Sequence, residues 1–198
     1  STESAPSVST PELLEAQLLA CSGKGAGKGS LATLRAILGL PSDEVPEPPF
    51  WLSQTEAARL VQVSRQYVGQ IVTGARDRWR RNRSLTALRE EIAELIQARG
   101  GAMTPQEIAQ AILLSHGSAL DEPLRSRSAL AVVRAAMEAE YGGQTQRFIE
   151  SRNHGRVVLA LSPELADYAF CLGDESDALA QLDPLAMPQR VLERLRTG

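Results

Sequence analysis

Residues 54–70 read Gln-Thr-Glu-Ala-Ala-Arg-Leu-Val-Gln-Val-Ser-Arg-Gln-Tyr-Val-Gly-Gln, and this stretch decides how the rest of the chain is read. It has the pattern of a helix-turn-helix. Ser53 stands before the first helix as its N-cap, with Glu56 three residues on, the spacing of a capping box. With Gln54 as position one, position five is Ala58, small because the second helix crosses close to it. Positions eight and ten are Val61 and Val63, apolar anchors on either side of the turn. Ser64 caps the second helix, whose inner face takes Val68 and Ile71. Position nine favours glycine, because the turn there asks for a positive φ. Gln62 occupies it, at a cost of about 1 kcal/mol. The helices are predicted over 53–61 and 64–81.

The second helix then presents Arg65, Gln66, Tyr67, Gly69 and Gln70. Arginine and glutamine bond base edges, and tyrosine reaches phosphate. Arg76, Arg78, Arg80, Arg81 and Arg83 follow, suited to the phosphate backbone. Residues 53–83 hold seven arginines against two acids, inside a chain of net charge −3. That basic block is a local electrostatic footprint that the overall charge conceals. The same residues admit another use: Arg78, Trp79, Arg80 and Arg81 as a cation–π surface for an acidic partner, such as the acidic segment 162–198.

Downstream, the order is helix (85–99), a short strand at Ala102-Met103, helix (105–114), helix (123–141), and a hairpin. The hairpin strands are Gln146–Ser151 and Arg156–Leu161, around Arg152-Asn153-His154-Gly155. This is the order of a winged helix. Its third helix places Leu124, Leu130, Val133, Ala136 and Met137 inward. If the unit touches DNA, Arg125, Arg127 and Arg134 lie on or near the presented helix, and Arg147, Arg152, His154 and Arg156 in the wing. Its near-neutral charge favours a protein-docking role. Helices at 163–181 and 187–196 close the chain. Upstream, 1–10 is a polar, disordered tail. Thr10-Pro11 opens a short helix, 22–30 is a flexible link, 31–40 a helix, and 41–49 a Pro-rich linker. The expected divisions are therefore 1–10, 11–49, 50–84 (helix-turn-helix with basic extension), 85–162 (winged-helix module) and 163–198. The fold class is mainly α. With 43% hydrophobic but 4% aromatic residues, the core is built from Ala, Leu, Val and Ile, which suits helices better than a β-sandwich.

Other patterns carry less. Gly23-Lys24-Gly25-Ala26-Gly27-Lys28-Gly29-Ser30 looks like a phosphate loop. Aligned on Gly27-Lys28, however, Ser22 takes the first glycine's place and Gly29 the hydroxyl's, and no strand precedes it. His116 and His154 sit in expected loops without ligand clusters, so no metal is expected. Cys21 and Cys171 make no disulfide framework and read as reduced, buried or half-buried thiols. Glu90, Glu91 and Glu94 read as a solvated face. Nothing assembles an active site, and no cofactor is expected. No apolar run reaches a membrane-spanning length, and the polar N-terminus is no export signal, so a cytoplasmic protein is expected. The chain starts at Ser1 without Met, as a piece of a longer protein or one that has lost its initiator.

Taken in order, four stretches resemble a known family. They are Gly-Lys-Gly-Ser-Leu-Ala-Thr-Leu-Arg-Ala-Ile-Leu-Gly-Leu (27–40), Ser-Gln-Thr-Glu-Ala-Ala-Arg-Leu-Val-Gln-Val-Ser-Arg-Gln-Tyr-Val (53–68), Leu-Thr-Ala-Leu-Arg-Glu-Glu-Ile-Ala-Glu-Leu-Ile (85–96) and Ala-Leu-Ala-Val-Val-Arg-Ala-Ala-Met-Glu (129–138). Together they are similar to the C-terminal, non-kinase region of the W-type serine/threonine kinases of the phage growth limitation system, a type-2 bacteriophage exclusion defence. Residues 53–72 alone are shared with sigma factor region four and many repressors. No kinase motif occurs here, neither His-Arg-Asp nor Asp-Phe-Gly, so this segment is expected not to be an enzyme. The family sets this region beside an adenine methyltransferase, an ATPase and a phosphatase-like protein. The resemblance therefore implies DNA surveillance or assembly, with double-stranded DNA and other defence proteins as partners and no membrane. A scaffold or homodimerisation role that never touches DNA stays open. So does a free-standing transcription regulator, which predicts a dimer on a palindromic site.

Overall fold

Capping side chains and turn conformations set the element boundaries. The computed structural model describes residues 9–23, 28–143 and 145–180. Eight helices and a small three-stranded antiparallel sheet are seen among them. The helices are α1 (Pro11–Gly23), α2 (Lys28–Leu38), α3 (Gln54–Leu60), α4 (Arg65–Arg80), α5 (Arg83–Ala98), α6 (Pro105–His116), α7 (Leu124–Glu140) and α8 (Pro163–Ala180). The strands are β1 (Ala102–Met103), β2 (Ile149–Asn153) and β3 (Arg156–Ala160). The expected tail over 1–8 and the helix over 187–196 lie outside the described residues. So do residues 24–27 of the expected link at 22–30; its other residues are helical, 22–23 ending α1 and 28–30 opening α2 three residues before the helix expected at 31.

The turn between α3 and α4 forms as its sequence asks. Ser53 accepts from the Glu56 amide at 3.2 Å, and the Glu56 carboxylate accepts from the Ser53 amide at 2.7 Å. Ser64 accepts from the Tyr67 amide at 3.1 Å. Gln62 has φ +56°, the left-handed conformation that favours glycine. Gln62→Gly should therefore stabilise the chain. Relief of about 1 kcal/mol of left-handed strain is partly offset by the greater freedom of glycine in the unfolded chain. A net gain of about 0.5 kcal/mol in urea unfolding is expected, and a loss would contradict this account of the turn.

The order α5–β1–α6–α7–β2–β3 is that of a winged helix, with β3 between β1 and β2. Ile149 pairs with Ala160 and Asn153 with Arg156, while Ala102 also meets Ala160 from the other side. The hairpin loop is two residues, His154 (φ +47°) and Gly155 (φ +80°). Positive φ at both central residues is the type I′ geometry that matches strand twist. The first strand thus runs two residues nearer the turn than expected, to Asn153, while the second starts at Arg156 as expected.

One helix departs from expectation. Helix α7 is buried on every side from Ser128 to Glu140. Five of these residues are alanines (Ala129, Ala131, Ala135, Ala136, Ala139), whose small side chains let α1, α2, α4, α5 and α6 pack round it. It is the axis of the molecule, not a helix presented at its surface. Leu124, expected inward, is 51% exposed ahead of the buried stretch. A core running from Leu14 and Leu34 through Trp79, Ile92 and Ile112 to Met137 and Leu159 joins the residues upstream and downstream of position 84. A smaller cluster of Ile37, Leu52, Ala57, Ala58, Val68 and Val72 holds α2, α3 and the first half of α4 together. Val68 is buried as expected. Ile71 is half-buried against the main core, and Val72 takes the inner place beside Val68. No helix among the described residues is long and apolar enough to cross a membrane.

Candidate nucleic-acid interface

Helix α4 has two different sides. Val68, Val72, Ala75 and Trp79 recur at three- and four-residue spacing and are buried. Trp79 is fully enclosed, its indole N–H donating to the Leu18 carbonyl of α1 at 3.3 Å. It is therefore unavailable for the cation–π surface that its arginine neighbours suggested. The opposite side carries Arg65, Gln66, Gln70 and Thr73, all exposed. Tyr67 is half-buried, with its hydroxyl against Gly29 in α2. Gly69 leaves room for the Gln54 side chain of α3.

The arginines after Gln70 separate into two groups. Arg78, Arg81 and Arg83 are exposed and, like Arg65, make no ion pair among the described residues. Arg76 and Arg80 turn inward. Arg76 donates through Nε and Nη2 to Glu138 of α7 at 2.8 and 2.6 Å and lies 4.6 Å over the Tyr141 ring. Arg80 donates to the Ala139 carbonyl at 3.1 Å and to the Tyr141 carbonyl, and it pairs with Asp77 at 2.9 Å. The end of α7 explains this. Its last carbonyls and its buried acids Glu138 and Glu140 must be satisfied, and α4 and its neighbours supply the cations.

The second unit's arginines are engaged in the same way. Arg134, expected on a presented helix, is 4% exposed. It pairs with Glu138 at 2.6 Å and with Glu150 at 3.2 Å, and sits 4.9 Å over the Trp51 ring. Arg127 bonds the Gly39 and Pro48 carbonyls, both at 3.0 Å. Arg125 stays at the surface, paired with Glu122. Arg147 bonds Glu140 and Glu90, and Arg89 bonds Glu140 from α5. In the wing, Arg152 pairs with Glu150 and bonds the Trp51 carbonyl. His154 is exposed at the tip, and Arg156 is half-buried near Gly173 of α8.

Burial, and then the negative charges of Glu150 and Glu138, push the Tyr141 phenol up to about 12. It stays a neutral donor, 3.4 Å from Glu150. At the start of α3 the Ser53 hydroxyl and amide hold Glu56 below the usual carboxylate range, with the charges of Arg152 and Arg59 adding to the effect.

Several smaller expectations change. His116 ends α6 and meets Glu91 at 2.6 Å, so neither is merely a loop or solvated-face residue. Cys21 and Cys171 are both exposed, not buried. Among the described residues, no group of three His, Cys, Asp or Glu is arranged to hold a metal ion.

No protein-family model matches the chain, and no solved structure does. The chain is 30% identical over 212 residues to the probable kinase PglW of Streptomyces coelicolor, a match that takes in 96% of this chain and 14% of that relative. The sequence holds none of the kinase motifs, so along nearly its whole length this chain is similar to a non-kinase region of a PglW-type kinase.

Proposed function

We propose that this region is a non-catalytic DNA-contacting or tethering module of a bacterial phage-defence kinase, acting in the cytoplasm. Helix α4, as the second helix of a helix-turn-helix, is the element offered to double-stranded DNA. The observation that carries this reading is the separation of the α4 arginines. Arg76 and Arg80 are held by the core, which fixes the helix, while Arg65, Gln66 and Gln70 stay exposed on its first half and Arg78, Arg81 and Arg83 beyond. Base-edge donors at the start of a capped helix and unpaired cations after it are what groove reading and phosphate contact need.

The second unit has a different character. Its Arg134, Arg147 and Arg152 meet internal carboxylates, and α7 offers no outer face from Ser128 to Glu140. This favours the protein-facing role for the winged-helix unit, towards other proteins of the same defence system.

Two double variants test the reading against a panel of duplexes. Arg65→Ala with Gln66→Ala should flatten the preference among sequences. Arg78→Ala with Arg81→Ala should weaken all duplexes alike, by roughly tenfold or more at low salt. Both variants binding like wild type would remove α4 from the interface.

A further inference from the structure

We propose that Arg152, in the first wing strand, is a positioning residue for the α3–α4 pair and acts through the main chain of the linker leading into α3. The proposal rests on the reading of α4 as the DNA-facing helix.

Linker 39–52 is clasped by three arginines from the second unit, each bonding main-chain carbonyls. Arg127 bonds Gly39 and Pro48, Arg134 bonds Leu52 at 3.4 Å, and Arg152 bonds Trp51 at 3.1 Å. The Phe50 ring lies 4.7 Å under Arg127, and the Trp51 ring lies under Arg134. At the centre of the clasp Trp51 has φ +60°. A bulky side chain rarely adopts that conformation, and it persists only where the surroundings impose it. The Trp51 indole N–H is buried without a partner among the described residues, so hydrogen bonding of the ring to them does not hold it there. Two residues later Ser53 caps α3. The direction in which α3 leaves the linker, and α4 after it, thus depends on a backbone conformation maintained from outside.

Arg152 is built for that task, although its side chain is still 39% exposed. Its Nε donates to Glu150 while Nη2 donates to the Trp51 carbonyl. Glu150 is fixed from behind by Arg134 and the Tyr141 hydroxyl. The charge of Arg152 is therefore already met by a carboxylate that is 5% exposed, and its fork is aimed at the linker. A planar guanidinium makes both bonds at once, whereas a lysine ammonium supplies the charge without the fork.

The test compares Arg152→Ala and Arg152→Lys in the full chain. Hydrogen exchange is followed on the free protein, and duplex affinity across a salt series. Both variants should speed exchange at amides 50–63 and weaken duplex binding by about tenfold. The slope of log affinity against log salt should stay unchanged, and lysine should not rescue. Recovery of wild-type binding by Arg152→Lys, or a slope shallower by about one, would make Arg152 a phosphate contact and overturn the proposal. Unchanged exchange in Arg152→Ala would overturn the clasp. A wild-type chain that binds no duplex even at low salt would instead remove the DNA reading, leaving altered exchange as a purely structural effect of Arg152 and ending its assignment to DNA positioning.

Discussion

Glu140→Ala should cost about 4 kcal/mol of folding stability in urea unfolding, a large part of the ~10 kcal/mol a domain of this kind holds. Glu140 is fully buried on the last turn of α7. It accepts from Arg89 Nε, from the Arg147 amide at 2.7 Å and from Arg147 Nη1 at 3.1 Å. Arg89 is itself 6% exposed, so removing the acid strands a guanidinium in the core. The cost comes from the cation left behind more than from the pair's own worth, since a buried pair hardly outweighs its desolvation. The double variant Glu140→Leu with Arg89→Leu should therefore recover most of the loss. A double variant as unstable as the single one would show that the pair itself, not the stranded charge, carries the energy.

Trp79→Ala should cost about 3–5 kcal/mol. Trp79 is among the largest fully buried side chains, and its truncation opens a cavity where α1, α4 and α7 meet, besides removing the indole donor to the Leu18 carbonyl. Its place gives the prediction a second part. Trp79, the Arg76–Glu138 pair and the Arg80 bonds to the Ala139 and Tyr141 carbonyls fix the second half of α4 to the core. Duplex affinity should fall with Trp79→Ala even at temperatures where the variant stays folded. Trp79→Phe, which fills most of the volume but lacks the N–H, should lose about 1–2 kcal/mol and keep its affinity. A loss below about 1 kcal/mol for the alanine variant would contradict the placement of Trp79 in the core.

Local features were legible in the sequence because local chemistry determines them. The Ser53–Glu56 capping box, the Ser64 cap, the left-handed turn residue Gln62 and the presence of a hairpin around 152–155, though not its two-residue loop, depend on residues within a few positions of one another. The order of elements in the second unit followed from the same signals. What could not be read was pairing at a distance. Arg76 and Arg80 look like their neighbours Arg78 and Arg81 in a basic run, and only the approach of the α7 terminus separates them. Two signals were present and not used. Val68, Val72, Ala75 and Trp79 keep helical spacing, which assigns Trp79 to the inner face. Residues 129–139 are apolar all round, the pattern of a helix buried on every side. The charges within that run, Arg134 and Glu138, then had to be buried and partnered.

These corrections narrow the candidate interface. Of the arginines expected to contact DNA, Arg76 and Arg80 brace α4, and Arg152 faces the linker. Arg65, Arg78, Arg81 and Arg83 remain exposed and unpaired among the described residues. Under the proposed reading, these four cations would set the salt response of duplex binding.

The central claim is tested most directly by binding of a labelled mixed-sequence duplex, followed by fluorescence anisotropy across a salt series. Contact through these four arginines predicts micromolar affinity at low salt and a log–log slope near about −4, reduced to about half when Arg78 and Arg81 are alanine. No binding at the lowest salt, or affinity indifferent to salt and to those substitutions, would contradict the claim and make this region a protein-binding scaffold.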